Sequence, residues 1–285
     1  MTVTSGTLSG RTIVMSGGSR GIGLAIALRA AQDGANVVLL AKTGEPHARL
    51  PGTVHTAAAE IEDAGGAALA VVGDVRVDED VERAVQQAVE RFGGVDVVVN
   101  NASALDLRPT RDIDMKRYDL MQDINARGSF LLAKTAIPHL ERSDNAHILT
   151  LSPPLDLRPK WAGSYLAYTM AKYGMSLVTL GLAKELAPVG IAANSLWPRT
   201  TIATAAVANL LGGDQTVARS RTPQIMADAA HALLVRDSRS CTGHFYLDED
   251  VLAEEGVTDL DRYRAVLGGP PLETDLFLDP LEDGP

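Results

Sequence analysis

Short, continuously apolar runs alternate with helix-length segments along almost the whole chain, and that alternation constrains the fold more than any single residue does. Residues 12–15, 36–40, 67–72, 95–99, 147–151, 191–197 and 244–248 read as strands. Between them lie helical stretches at 22–33, 53–64, 80–92, 115–139 (with a break expected at Pro138), 164–187 and 224–235. A strand that is apolar at every position, not at every second one, is covered on both faces. Crossovers of helix length join strands that run in the same direction. The pattern predicts an α/β fold of Rossmann type: a doubly wound parallel sheet of about seven strands with helices on both faces. No linker or repeat divides the chain, so one domain is expected over 1–249, with 250–285 an acidic C-terminal extension of it.

Bulk properties exclude several functions. With 285 residues, 46% hydrophobic and 22% charged, the chain can bury a substantial core. A net charge of −10 argues against nucleic acid and against anionic membrane surfaces, which need clustered Lys and Arg. Cys241 is the single cysteine, which rules out an internal disulfide and fits a reducing compartment. His47, His55, His139, His147, His231 and His244 show no ligand spacing, so no metal site is expected. There is no signal-peptide pattern at the start and no apolar run of the ~20 residues that span a bilayer. Asp283-Gly284-Pro285 matches no retention or peroxisomal address. A cytoplasmic protein without membrane insertion is expected.

The first strand ends in Ser16-Gly17-Gly18-Ser19-Arg20-Gly21-Ile22-Gly23, which opens the first helix. Glycines there let backbone approach a pyrophosphate, and the helix N-terminus favours its charge. A tight turn without a ligand is the alternative. An acidic residue after the second strand would bond the ribose hydroxyls of NAD, but the strand ends Leu40-Ala41-Lys42-Thr43. Lys42 and Arg20 are instead placed to pair with a 2′-phosphate, which favours NADP(H) over NAD(H).

Tyr168 and Lys172 lie four residues apart in an apolar helix, hence on one face. A cation one turn away would stabilise a phenolate and lower the tyrosine pKa from about 10 toward neutrality. The same spacing also arises as an ordinary amphipathic pair.

The glycine spacing (17, 21, 23) and the Tyr-x-x-x-Lys pair together resemble the short-chain dehydrogenase/reductase superfamily, over residues 8 to about 249. The resemblance implies that Tyr168 is the general acid/base and that Lys172 lowers its pKa and holds the nicotinamide ribose. It implies Gly17, Ser19, Arg20, Gly21, Ile22 and Gly23 at the cofactor, with Asp74 and Val75 near the adenine. It further implies Asn101 and Ala102 along the cofactor, and Pro198, Thr200 and Thr201 near the nicotinamide. Asn125 would support a proton-relay water, and Ser152 would orient the substrate. Two features depart from the family. Ser103 replaces a glycine, and the fifteen residues between Ser152 and Tyr168 exceed the usual number. Ser164 offers a second hydroxyl and reads as the cap of the following helix.

Ile202, Ala203, Ala205, Ala206, Val207, Leu210 and Leu211 recur at helical spacing where the family closes over its substrate. A small lipophilic alcohol or carbonyl compound is the expected substrate. The expected protein is an NADP(H)-dependent oxidoreductase. The rival is a nucleotide-binding scaffold with weak catalysis. The helix at 164–187 suits pairing into a homodimer or homotetramer, as is common in this family.

Overall fold

The computed structural model describes residues 6–46, 52–210 and 212–280, with only the backbone of Leu210. His47, Leu211 and Asp283-Gly284-Pro285 lie outside the described residues. Seven strands form one sheet: β1 (Thr12–Ser16), β2 (Asn36–Ala41), β3 (Ala67–Val72), β4 (Val97–Asn100), β5 (His147–Thr150), β6 (Ala192–Trp197) and β7 (Phe245–Leu247). Their order is β3-β2-β1-β4-β5-β6-β7 and every neighbouring pair is parallel. The predicted Rossmann-type sheet is the observed one.

Side chains alternate through the sheet into two cores, as strand geometry requires. Ile13, Met15 and Leu39 face one layer, formed by α1 (Gly21–Ala31), α2 (Val54–Asp63) and later helices. Val14, Val38 and Leu40 face the other, which includes α3 (Asp78–Phe92). The start of α2 is fixed by a capping box in which Thr53 and Thr56 satisfy each other's backbone N–H groups. Ile61 from that helix is fully buried, worth about 2 kcal/mol.

The stretch expected as one helix from 115 is three pieces. Helix α4 (Met115–Met121) passes into a π-helical turn, Gln122–Arg127, and then into α5 (Gly128–Leu140). The expected break at Pro138 does not occur. Pro138 sits inside the last turn of α5, which ends two residues later, and the irregularity lies upstream around Asn125.

Ser164 does not cap the next long helix. It closes the short α6 (Pro159–Ser164), its hydroxyl donating to the Lys160 carbonyl at 2.8 Å, and α7 (Leu166–Leu186) starts only after Tyr165. Helices α8 (Ala205–Leu210), α9 (Gly213–Ala218), α10 (Gln224–Leu234) and α11 (Asp248–Glu254) follow. No helix of the described residues is long and apolar enough to cross a membrane.

The residues after β7 are more than an appendage. Beyond α11 the chain returns across the carboxyl ends of the strands, where Thr274 pairs antiparallel with Thr200. Asp275 N–H donates to the Arg199 carbonyl at 3.1 Å, and Thr201 N–H donates to the Glu273 carbonyl at 2.9 Å. Phe277 is 2% exposed and lies against Tyr165, Tyr168, Tyr173 and Trp197, with ring centroids 5.5 to 5.9 Å away. It is the one described non-glycine residue with positive φ (69°), a strained backbone that the aromatic packing holds in place. The acidic composition of this segment hid its few apolar anchors.

Candidate active site

One cavity of about 640 Å³ opens at the carboxyl ends of the strands, the position at which open parallel sheets bind ligands. Gly17, Ser19, Arg20, Gly21 and Ile22 line one end. Gly17 has φ 75°, and a Cβ there would stand 2.8 Å from the Ala102 Cα. A Cβ on Gly23 would come within 2.5 Å of Asn101 Nδ2. Gly23 therefore does not line the cavity. It lets the Asn101 amide reach the carbonyls of Ser16 (3.2 Å) and Gly17 (2.8 Å). Both glycines bring the β4 loop against the turn, and α1 begins without an acidic residue in its first turn. That cradle fits the phosphates of a dinucleotide.

Lys42, Asp74 and Val75 share this end of the cavity. The Lys42 ammonium pairs with Asp74 at 3.1 Å, and Arg76 holds the same carboxylate at 2.6 Å. Although burial opposes it, these hydrogen bonds keep the Asp74 carboxyl down at about 2. The Arg20 guanidinium donates to the Gly52 carbonyl at 2.7 Å. Neither predicted cation is idle in this structure.

Tyr168 and Lys172 line the other end with Leu151, Trp197 and Pro198. Tyr168 is 5% exposed, and burial pushes its phenol above the ordinary tyrosine value. The expected lowering by Lys172 is not seen. The Lys172 ammonium donates instead to the Leu151 carbonyl at 2.8 Å and sits 5.1 Å from the centre of the Trp197 ring. Burial brings Lys172 down to about 7, against the pull of the Asp275 carboxylate. Asp275 itself is raised to about 7, chiefly by burial.

Besides Gly23, four predicted residues lie off the cavity wall. Asn125, on the π-helical turn, accepts from Ala104 N–H at 2.7 Å and donates to the Ala104 carbonyl at 3.1 Å. Its side chain clamps the β4 loop and is committed there. Ser152 is fully buried and its hydroxyl lies 2.8 Å from that of Ser195. The Thr201 hydroxyl pairs with Ser220 at 2.8 Å, and Thr200 is buried beneath the returning segment. Ile202, Ala205, Ala206 and Val207 do line the cavity, as the helical spacing suggested.

Asp275 and Leu276 line the same cavity, and the sequence reading did not anticipate them. The run Phe277-Leu278 in an otherwise polar tail was the available signal. The proline-rich loop before Tyr168 meets this segment. Arg158 and Lys160 both pair with Asp279, and the Tyr173 hydroxyl donates to the Asp156 carbonyl at 2.6 Å. The extra residues between Ser152 and Tyr168 thus form the seat for the returning chain.

A seven-stranded parallel sheet with a glycine cradle and a Tyr-x-x-x-Lys pair on one cavity defines the class, and the comparison with known families agrees. Residues 11–213 match the short chain dehydrogenase family, and the chain belongs to it. It is 55% identical over 275 residues to hydroxysteroid dehydrogenase-like protein 2 of Danio rerio, covering 96% of this chain. The chain spans only 65% of that relative's length. Among solved structures, a short chain dehydrogenase from Mycobacterium thermoresistibile is 56% identical with a TM-score of 0.91, covering 96% of each chain. A Xanthomonas campestris protein is 54% identical with a TM-score of 0.93, covering 96% of this chain and 99% of its own.

Proposed function

We propose that the protein is an NADP(H)-dependent oxidoreductase that interconverts a lipophilic alcohol and its carbonyl compound. One observation carries this reading: the glycine cradle and the Tyr168–Lys172 pair open onto one cavity, close enough to serve a single dinucleotide and substrate. When bound, the nicotinamide supplies or accepts the hydride at the substrate carbon. Tyr168 exchanges the proton at the substrate oxygen. Lys172, one turn along α7 from Tyr168, holds the nicotinamide ribose. Gly17, Ser19, Gly21 and Ile22 receive the phosphates, while Asp74, Val75, Asn101 and Ala102 border the nucleotide.

The preference for NADP(H) rests on Lys42 directly after β2, the place where a carboxylate would bond the ribose hydroxyls of NAD, and on Arg20 in the glycine turn. Lys42 is 58% exposed in its side chain, and an ion pair that open is weak enough for a phosphate to displace. Apolar Leu105, Ile202 and Val207 on the wall favour a lipophilic substrate. The exposed stripe Leu166, Met170, Leu177 and Leu180 on α7, beside Phe130 on α5, favours a homodimer or homotetramer.

The scaffold reading draws on one observation, the engagement of Ser152 with Ser195 away from the cavity. A panel of aliphatic, terpenoid and steroid alcohols assayed for NADPH formation separates the two. Turnover by the wild type, lost in Tyr168→Phe with NADPH binding retained, is the expected result. Tight NADPH binding with no turnover on the panel favours the scaffold.

A further inference from the structure

The hydroxyl that sequence resemblance pairs with Tyr168 belongs to Ser152, and its proton is already spent. Ser195 donates to Thr179 Oγ1 at 2.9 Å, and a hydroxyl has one proton. In the 2.8 Å contact between Ser152 and Ser195, Ser152 must therefore be the donor. Ser152 is also fully buried and does not reach the cavity wall.

A different serine does reach it. Ser103 lines the same cavity as Tyr168 and is exposed to it, and its hydroxyl favours the ionised phenol against the effect of burial. Its position is fixed from both sides. Ahead of it, the Ser16 hydroxyl accepts from the N–H groups of Asn101 (3.3 Å) and Ala102 (3.2 Å). Behind it, Asn125 holds both backbone groups of Ala104. Pinned on either side, the loop presents one hydroxyl to the phenol. This is the position at which the family's usual segment has glycine, so the two departures in the sequence are complementary: the serine lost to the cavity at 152 is replaced at 103.

We propose that Ser103, not Ser152, is the hydroxyl that works beside Tyr168, bonding both the phenol and the substrate oxygen. This rests on the oxidoreductase reading above. In carbonyl reduction the hydride and its electron pair pass from NADPH to the carbonyl carbon, the Tyr168 O–H bond breaks to protonate the oxygen, and the phenolate left behind regains a proton from water. Ser103 keeps its own proton and donates a hydrogen bond to the oxygen as negative charge grows on it, the stabilisation that matters most in such steps.

Two measurements test the assignment. In protein labelled with [ζ-¹³C]tyrosine, the Tyr168 resonance, assigned with Tyr168→Phe, should move in Ser103→Ala and stay in place in Ser152→Ala. For any alcohol of the panel that turns over, Ser103→Ala should lower kcat about a hundredfold. NADPH affinity should change less than twofold, and Ser103→Thr should restore part of the rate. Ser152→Ala should cost at least tenfold less in kcat than Ser103→Ala. An unmoved Tyr168 resonance in Ser103→Ala, or a larger kcat loss in folded Ser152→Ala, overturns the proposal. If the wild type turns over nothing, the oxidoreductase reading fails, and the Tyr168 resonance still decides whether Ser103 is its partner.

Discussion

At the phosphate end of the cavity, the lining residues sit at the carboxyl ends of β1 to β4 and at the start of α1, in short stretches with recognisable sequence patterns. At the reaction end, Leu151, Tyr168, Trp197 and Asp275 come from four stretches spread over more than a hundred residues. The first end is held by backbone geometry that glycine alone permits. The second is held by aromatic packing around Phe277 and by hydrogen bonds between segments distant in sequence. Dinucleotide affinity should therefore be separable by mutation from turnover, and four substitutions bear on that separation.

The largest effect is expected from Tyr168→Phe. Losing the acid/base group should reduce turnover about a thousandfold, while fluorescence titration finds NADPH affinity nearly unchanged. An equal loss of binding would mean that the two ends are one unit. Next comes Phe277→Ala, which empties a site touching four aromatic rings and should cost about 3 kcal/mol of stability. Urea denaturation measures that cost, and turnover should suffer more than NADPH affinity.

Lys42→Asp acts on the phosphate end alone. It should weaken NADPH binding about tenfold, the worth of one charge-assisted contact, and leave NADH binding close to its starting value. A parallel loss for both nucleotides would remove the case for NADP(H) preference.

The smallest effect is a change in pH dependence. Lys172 faces Asp275, the Leu151 carbonyl, Met175 and the Trp197 ring, while Asp275 in turn feels Asp248 and Glu273. The Asp275 carboxylate favours the ammonium form of Lys172, so Asp275→Asn leaves burial unopposed and moves the lysine pKa below its present value of about 7. The ammonium is then lost at lower pH, and the alkaline limit of NADPH binding should shift downward. An upward shift would show that Asp275 acts on another group.

These expectations follow what could and could not be read from residue order. The inner strands were legible because burial on both faces keeps them largely apolar, and the partly buried edge strands β3 and β7 because they are short apolar runs set between helix-length segments. The cofactor cradle was legible because Gly17 and Gly23 answer to local sterics. Ser152 misled because a motif position fixes where a residue stands along the chain but not which way its hydroxyl turns. That direction depends on Ser195 and Thr179, one on the neighbouring strand and one on the helix packed over it. Asp275 was invisible for a similar reason: a carboxylate in an acidic tail is distinguished only by the fold that carries it inward. The rise in the Tyr168 pKa could not be foreseen either, since it comes from burial among rings contributed by remote residues.

The π-helical turn at Gln122–Arg127 has a consequence for how this site can change. Such a turn is an α-helix that has taken in one residue too many. Deleting a single residue from it would let the turn rewind as plain α-helix, removing the bulge that turns Asn125 toward the β4 loop. Asn125 would swing away from Ala104, and the loop carrying Ser103 would lose one of its two fastenings. The spacing of this helix therefore acts as a register stop: substitutions around it can be absorbed one at a time, whereas a one-codon deletion would dismantle the hydroxyl partner of Tyr168 without touching either residue.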